Sequence, residues 1–271
     1  FLGPEAVPAR HYTYGHRVGV DEVHDLARSV RDKRYLYLRN FMPHLGYNQP
    51  TAWPDLGEIR HEFYKMAKDG SMTPPQEHFA GPRRPLEELY DCHSDPQNLE
   101  NLADSEEHRG LLERMRGQLA KNLVNSRDHG FLPESLAWQL AEGSTAYELA
   151  RSSGDYEQSI LIEAASQVGN AKEEELLANL THSDPGVRFW GAVGLSAAAS
   201  LSQKAITALT ETLNDAFPSP RIEAAHALAR HGKLEKSMDW DTFEISLGAG
   251  RYYDISLNSS PITGSYYDGF D

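Results

Sequence analysis

The stretch DLARSVRDKRYLYLRNFMP, Asp25 to Pro43, decides how the first half of this chain folds. Leu26 to Val30 and Tyr35 to Phe41 are rich in aliphatic and aromatic residues. The polar Arg31-Asp32-Lys33 lies between them where the chain must reverse, which predicts a β-hairpin. In Tyr35-Leu36-Tyr37-Leu38 both alternating faces are apolar, so the second strand is expected to be central and covered on both sides. Arg28, Arg31, Arg34 and Arg39 make this stretch densely basic, which reads either as solvation of a sheet edge or as a pocket for an anion.

Outward from the hairpin, Tyr12 to His16 and Glu88 to Asp91 read as short strands, and residues 1–11, with Pro4 and Pro8, as an extended surface segment. Prolines crowd Pro43 to Pro85 and break regular structure. Leu56, Ile59, Phe63 and Met66 nevertheless recur at three and four residues ahead of Asp69-Gly70, which predicts one packed surface helix. Tyr47, Trp53 and Phe79 in this segment either stack on sugar rings or anchor the loop to the core. Asp104 with Glu107 resembles a capping box, and Leu112, Met115, Leu119 and Leu123 form one apolar stripe ending before Gly130. A helix with such a stripe needs a partner, and the sheet needs a cover, so the two are expected to pack together.

From Tyr156 to Gly232 the chain is rich in Ala, Leu and Glu, which favours helices. A shift of 33 residues pairs Leu176 with Leu209, Leu180 with Leu213, Pro185 with Pro218, Arg188 with Arg221, Ala192 with Ala225 and Leu195 with Leu228. A helix, a Pro-containing turn and an Ala-rich helix form the unit of an α-solenoid. Ser159 to Val168 reads as an earlier cap or partial repeat. In Ser237 to Asp271 the helical pattern stops: Thr242 to Leu247 and Tyr252 to Leu257 alternate like strands, followed by a Ser, Gly and Tyr-rich end. This tail is expected to be a capping hairpin or, after an altered frame or join near Ser237, a mobile extension.

Phe1-Leu2-Gly3-Pro4, Tyr12 to Arg17, ARSVRDKRYLYLRNFMPHLGY (27–47) and LEELYDCHSDPQNLENLAD (86–104) together resemble the C-terminal part of a bacterial sulfatase of the alkaline-phosphatase-like superfamily. Thr145 to about Gly232 resembles HEAT-type repeats. The fold class expected is therefore α+β: a small antiparallel sheet with packed helices, the sulfatase C-terminal subdomain, over 1–135, then an α-helical HEAT-like solenoid over 145–236 and a tail over 237–271. The resemblance implies an enzyme that hydrolyses sulfate esters of sulfated carbohydrate with calcium and a formylglycine. It places the calcium ligands upstream of Phe1, and the formylglycine motif, C/S-x-P-S-R, does not occur in this sequence. The segment Arg17 to Glu22 departs from the family's charged pattern and is expected to be a loop near the pocket mouth. His16 and Arg17 are the candidate substrate-binding residues, at the pocket rim. No catalytic and no metal-binding residue is assigned.

Composition narrows the partners. Lys and Arg number 26 against 40 Asp and Glu, and a net charge of −14 disfavours nucleic acid and anionic membrane surfaces. Sulfated carbohydrate and an N-terminal sulfatase domain are the implied partners, with a protein partner on the repeats as a further possibility. Cys92 is the single cysteine, so no internal disulfide, Cys-rich zinc site or CxxC centre forms, and its surroundings, Tyr90 to Ser94, lack the Pro and Arg of the maturation motif. Asp21, Glu22, His24 and Asp25 are the polar residues of a turn rather than a metal loop, and His226 and His231 have poor spacing for one helix face. The sequence opens without an initiator Met or an apolar leader and is expected to be an internal fragment of a periplasmic or secreted protein, catalytically incomplete on its own. The alternative is a HEAT-repeat protein-binding module without catalytic activity.

Overall fold

The computed structural model describes residues 10–20, 23–151 and 157–233. The extended N-terminal segment, the Asp21-Glu22 turn and the tail from Ser237 lie outside them. Four antiparallel strands, β1 (Thr13–Val20), β2 (Val23–Arg31), β3 (Tyr35–Asn40) and β4 (Glu87–Asp91), form one sheet in the order β1-β2-β3-β4. The expected hairpin is β2–β3, with Val30 opposite Tyr37. Its turn is held by Asp32, whose Oδ1 accepts the backbone N–H groups of Arg34 and Tyr35 at 2.8 and 2.7 Å. The segment expected as a loop after Arg17 instead continues β1 to Val20, with a bulge between Val18 and Val20, because Gly19 lets the two backbones close.

β3 is internal, but its two faces differ. Tyr37, Val30 and Leu89 form a buried apolar face, whereas Leu36 and Leu38 on the opposite face are only half-buried. That second face is partly polar. Buried Glu88 accepts hydrogen bonds from Asn40 Nδ2 at 2.7 Å, from the Tyr90 hydroxyl at 2.5 Å and from the Tyr47 hydroxyl. Tyr47 therefore anchors the Pro-rich segment to the sheet, while Trp53 stays 81% exposed.

The Pro-rich segment carries α1 (Glu58–Asp69) and α2 (Pro74–Ala80). Gly70 ends α1 in the left-handed conformation, as the sequence implies. α1 is a surface helix: none of its residues is buried and Ile59 is 74% exposed, while Phe63 and Met66 are half-buried, and its main neighbours are α2 and the preceding 3₁₀ turn. α3 (Arg109–Ser126) buries Leu112, Met115, Leu119 and Leu123 against the apolar face of the sheet. The capping box does not form. A 3₁₀ turn over Glu106–His108 intervenes, and α3 starts at Arg109 without a side-chain cap.

After α3 come two short helices, α4 (Glu134–Leu140) and α5 (Ala146–Leu149). Five more follow: α6 (Gln158–Ser166), α7 (Glu173–Leu180), α8 (Pro185–Ala197), α9 (Gln203–Thr212) and α10 (Pro218–Arg230). The bounds of α8 and α10 coincide under the 33-residue shift, each opening on a Pro in its first turn, where a missing N–H costs nothing. Asp184 caps α8 by accepting from Gly186 N at 2.7 Å. α7 and α8 approach closely at Gly191 and Gly194; a Cβ on Gly191 would sit 2.9 Å from Asn179 Cβ and 3.0 Å from Leu176 O. One apolar cluster runs without a break from the sheet and α3 into α6 and α8. Its seam is aromatic: Phe131 makes an edge contact with Phe41 at 4.8 Å, and its carbonyl accepts from Trp190 Nε1 at 2.8 Å.

Ala192 and Ala225 are 0% and 2% exposed. Replacing either by Phe is expected to cost about 1–3 kcal/mol by overpacking, read as a fall in urea midpoint. An unchanged midpoint in both variants would contradict the packing described.

Candidate functional site

His16 and Arg17 are neighbours on the edge strand β1, so their side chains leave it on opposite faces. Each is the exposed outer member of a separate polar triad. On one face His16 Nε2 lies 3.7 Å from Asp128 Oδ2, and Asp128 is held by Arg28 through Nε at 2.6 Å and Nη2 at 2.9 Å. On the other face Arg17 Nε lies 2.5 Å from Asp25 Oδ2, and Asp25 is held by both terminal nitrogens of Arg84, one at 2.9 Å. Side chains Arg84 and Asp25 are fully buried, while those of His16 and Arg17 remain 47% and 45% exposed. The structure thus separates the two rim residues rather than converging them.

The arginines of the hairpin also part company. Arg28 is buried, donates to the Arg17 and Ala27 carbonyls at 2.9 and 2.8 Å, and stacks over Phe131 at 5.4 Å. Arg34 pairs with Asp91 at 2.5 Å, and Arg39 donates to the Ser166 carbonyl at 2.8 Å. Arg31 and Arg34 face water, Arg34 with 53% of its side chain exposed despite its pairing. Neither reading from the sequence holds: the cluster is no single anion pocket, and three of its four members have specific partners. The reason is the two-residue alternation of strands combined with partners far away in the sequence. Asp128, Arg84 and Glu88 went unnoticed in the sequence; nothing local marks Asp128 except its place before Gly130. There a Cβ would meet Arg28 Nη2 at 2.2 Å, so glycine is required.

Burial pushes the Asp128 carboxyl up, but the hydrogen bond and charge of Arg28, the N–H of Gly130 and the charge of His16 outweigh it, and the net pKa lies below its ordinary 3.8. His226 is raised by the charge and hydrogen bond of Glu223, 3.4 Å away, against the opposing effect of burial. His231 instead meets the Leu195 carbonyl at 3.2 Å, so the two histidines do not converge. Cys92 is half-buried and approaches Asn98 Oδ1 at 3.5 Å. Among the described residues no group of three or more His, Cys, Asp or Glu side chains is placed to hold a metal ion. No step is therefore derived through calcium or a formylglycine.

No protein-family model matches the chain. Among curated proteins it is similar to an ulvan-active sulfatase of Formosa agariphila, 34% identical over 135 residues, or 50% of this chain. That similarity to a sulfatase covers half of the chain. The aligned stretch spans 23% of that relative's length. The α+β architecture, a small antiparallel sheet with many helices, is consistent with a sulfatase subdomain. No helix among the described residues is long and apolar enough to cross a membrane.

Asp128→Asn is expected to destabilise the sheet-containing half by about 3–5 kcal/mol, because it strands the buried Arg28 guanidinium. The depressed carboxyl stabilises the fold above its unfolded pKa of about 4, and that contribution is lost as pH falls through the lower folded value. Melting temperature against pH should therefore drop below about pH 4 in the parent, with a shallower drop in Asp128→Asn. Parallel profiles would refute the assignment.

Proposed function

We propose that this chain acts as the C-terminal region of a sulfatase that hydrolyses sulfate esters of sulfated carbohydrate. The observation that carries the reading is the 34% identity to a sulfatase across half the chain, 135 residues long. In this reading residues 1–135 form the family's C-terminal subdomain, and the nucleophile and calcium site come from sequence N-terminal to it, as the resemblance implies. The chain supports the site and does not perform the chemistry. His16 and Arg17 would stand at the rim, where the Asp128 and Asp25 carboxylates fix their positions and leave their outer surfaces free for sulfated sugar. The relative is named for activity on ulvan, which makes that polysaccharide the first substrate to try. A periplasmic or secreted location follows from the same resemblance.

The second reading, a HEAT-type protein-binding module over residues 145–236, rests on the coincidence of α8 with α10 under the 33-residue shift. Arg188, which pairs with Asp215 at 2.6 Å, ties the start of α8 to the turn before α10 in the manner of stacked repeats. A repeat surface of this kind would take a protein partner, and the two readings can hold for one polypeptide.

The chain by itself is expected to give no turnover of an aryl sulfate and no calcium-dependent rise in melting temperature, since a ligand stabilises only a fold that holds its site. Chelator-sensitive turnover would overturn the division of labour. Joined to the sequence that precedes it in its gene, the polypeptide should desulfate ulvan. There Arg17→Ala is expected to raise KM about tenfold with kcat unchanged, the mark of lost ground-state binding. Identical KM values would remove Arg17 from the rim.

A further inference from the structure

α1 sits inside out. Ile59, Phe63 and Met66 recur at three and four residues and share one face of the helix, while Arg60 and Tyr64 share another. A surface helix ordinarily turns its apolar face to the protein. Here the polar face turns inward. Arg60 donates to Asp55 Oδ1 at 2.8 Å and also to Asn48 and the Gln49 carbonyl, and the Tyr64 hydroxyl donates to the same Asp55 oxygen at 2.8 Å. The Arg60 side chain is 15% exposed, against 74% for Ile59. On the outward face Phe63 meets the Phe79 ring of α2 at 5.5 Å, and Phe79 is itself 48% exposed. Trp53 and Leu56, three residues apart in the 3₁₀ turn immediately ahead of α1, share one side of that turn and are both exposed.

This exposure is built into the segment. The loop beneath α1 is fixed to the sheet by the Tyr47 hydroxyl on Glu88 and by Gln49 Nε2, which donates to the His24 carbonyl at 3.0 Å. The segment also stands on the Arg17 side of the sheet: the Arg84 guanidinium lies over the Tyr47 ring at 4.9 Å and holds Asp25, which in turn pairs with Arg17. Neighbouring exposed apolar side chains of this kind mark an interaction surface. Glu58 and Glu62 flank the stripe, which disfavours a sulfated glycan or an anionic membrane and suits a protein surface with basic residues at its edge. The 135 aligned residues make up 23% of the sulfatase relative, so in the sulfatase reading most of the polypeptide has still to be seated against this chain.

We propose that the face formed by Trp53, Leu56, Ile59 and Phe79 seats the part of the polypeptide that precedes this chain and carries the nucleophile, through a surface apolar at its centre and basic at its edge. The inference rests on the sulfatase reading and adds to it the surface that joins the two parts. A body docked there stands on the side of the sheet that carries Arg17.

The test is hydroxyl-radical labelling of Trp53, Leu56, Ile59 and Phe79 in this chain alone and in the chain joined to the sequence that precedes it in its gene. All four are expected to label readily in the chain alone. In the joined polypeptide Trp53 labelling should drop to near that of the buried Trp190. Ile59→Glu should restore it there and leave the melting temperature of the chain alone unchanged, since it replaces an exposed side chain. Equal labelling in both proteins, or a drop that Ile59→Glu does not reverse, would overturn the proposal. So would protection of the chain alone by added ulvan, by phosphatidylglycerol vesicles or by raised chain concentration, which would assign the face to a glycan, a membrane or a second copy. Turnover of ulvan by the joined polypeptide with Trp53 still fully labelled would sink the docking face and keep the sulfatase reading. Protection without turnover would do the reverse.

Discussion

Everything around the sheet depends on keeping one buried guanidinium satisfied. Arg28 sits in the middle of β2 with its side chain 1% exposed, where an unpaired cation would be prohibitive. Asp128 takes two of its N–H groups in a bidentate pair at 2.6 and 2.9 Å, the Arg17 and Ala27 carbonyls take others, and the Phe131 ring closes the stack. To deliver that carboxylate the chain must turn sharply after α3. It does so with Arg127 in the left-handed conformation at φ 50° and Gly130 pressed against the guanidinium. The same turn brings Phe131 to the centre of the aromatic seam with Phe41 and Trp190. One electrostatic requirement thereby fixes where the helical half meets the sheet.

A buried ion pair is weak evidence of net stability, since desolvation consumes most of its Coulombic gain. Its value here is specificity of position. Arg28–Asp128 and Arg84–Asp25 pin opposite faces of the same strand pair, and each leaves an exposed side chain of β1, His16 or Arg17, in register above it. The edge of the sheet thus presents a His and an Arg whose positions are set by groups that never meet solvent. That is the kind of arrangement by which a supporting subdomain contributes to a binding surface while the chemistry occurs elsewhere.

The helical half is organised differently. Small residues do the work: Gly191, Gly194 and Ala192 let α7 and α8 close, and Ala224, Ala227 and Leu228 fill a second apolar cluster with Leu176, Leu180 and Leu209. Because that cluster is separate from the one that spans the seam, the last two helices lean on their neighbours while α6 and α8 hold to the sheet. The junction between these two packing regimes holds a small cavity and the buried His44, whose Nδ1 has no hydrogen-bond partner.

The sequence by itself determined whatever depends on local period. The β2–β3 hairpin follows from two apolar runs around a polar turn, the buried face of α3 from its four-residue stripe, and the α8 and α10 bounds from the 33-residue recurrence with its prolines. Only the tertiary structure decided the rest. The α1 stripe is as regular as that of α3, yet it meets the short α2 rather than the core and none of it is fully buried, because periodicity says nothing about what lies opposite. The four arginines of the hairpin look like one cluster in the sequence, but strand alternation sends them to different faces. The partner of Arg28 lies 100 residues away and that of the His44 carbonyl 186 residues away. Charge pairing is a property of distance in space, and a pattern read along the chain records only which groups are available to pair.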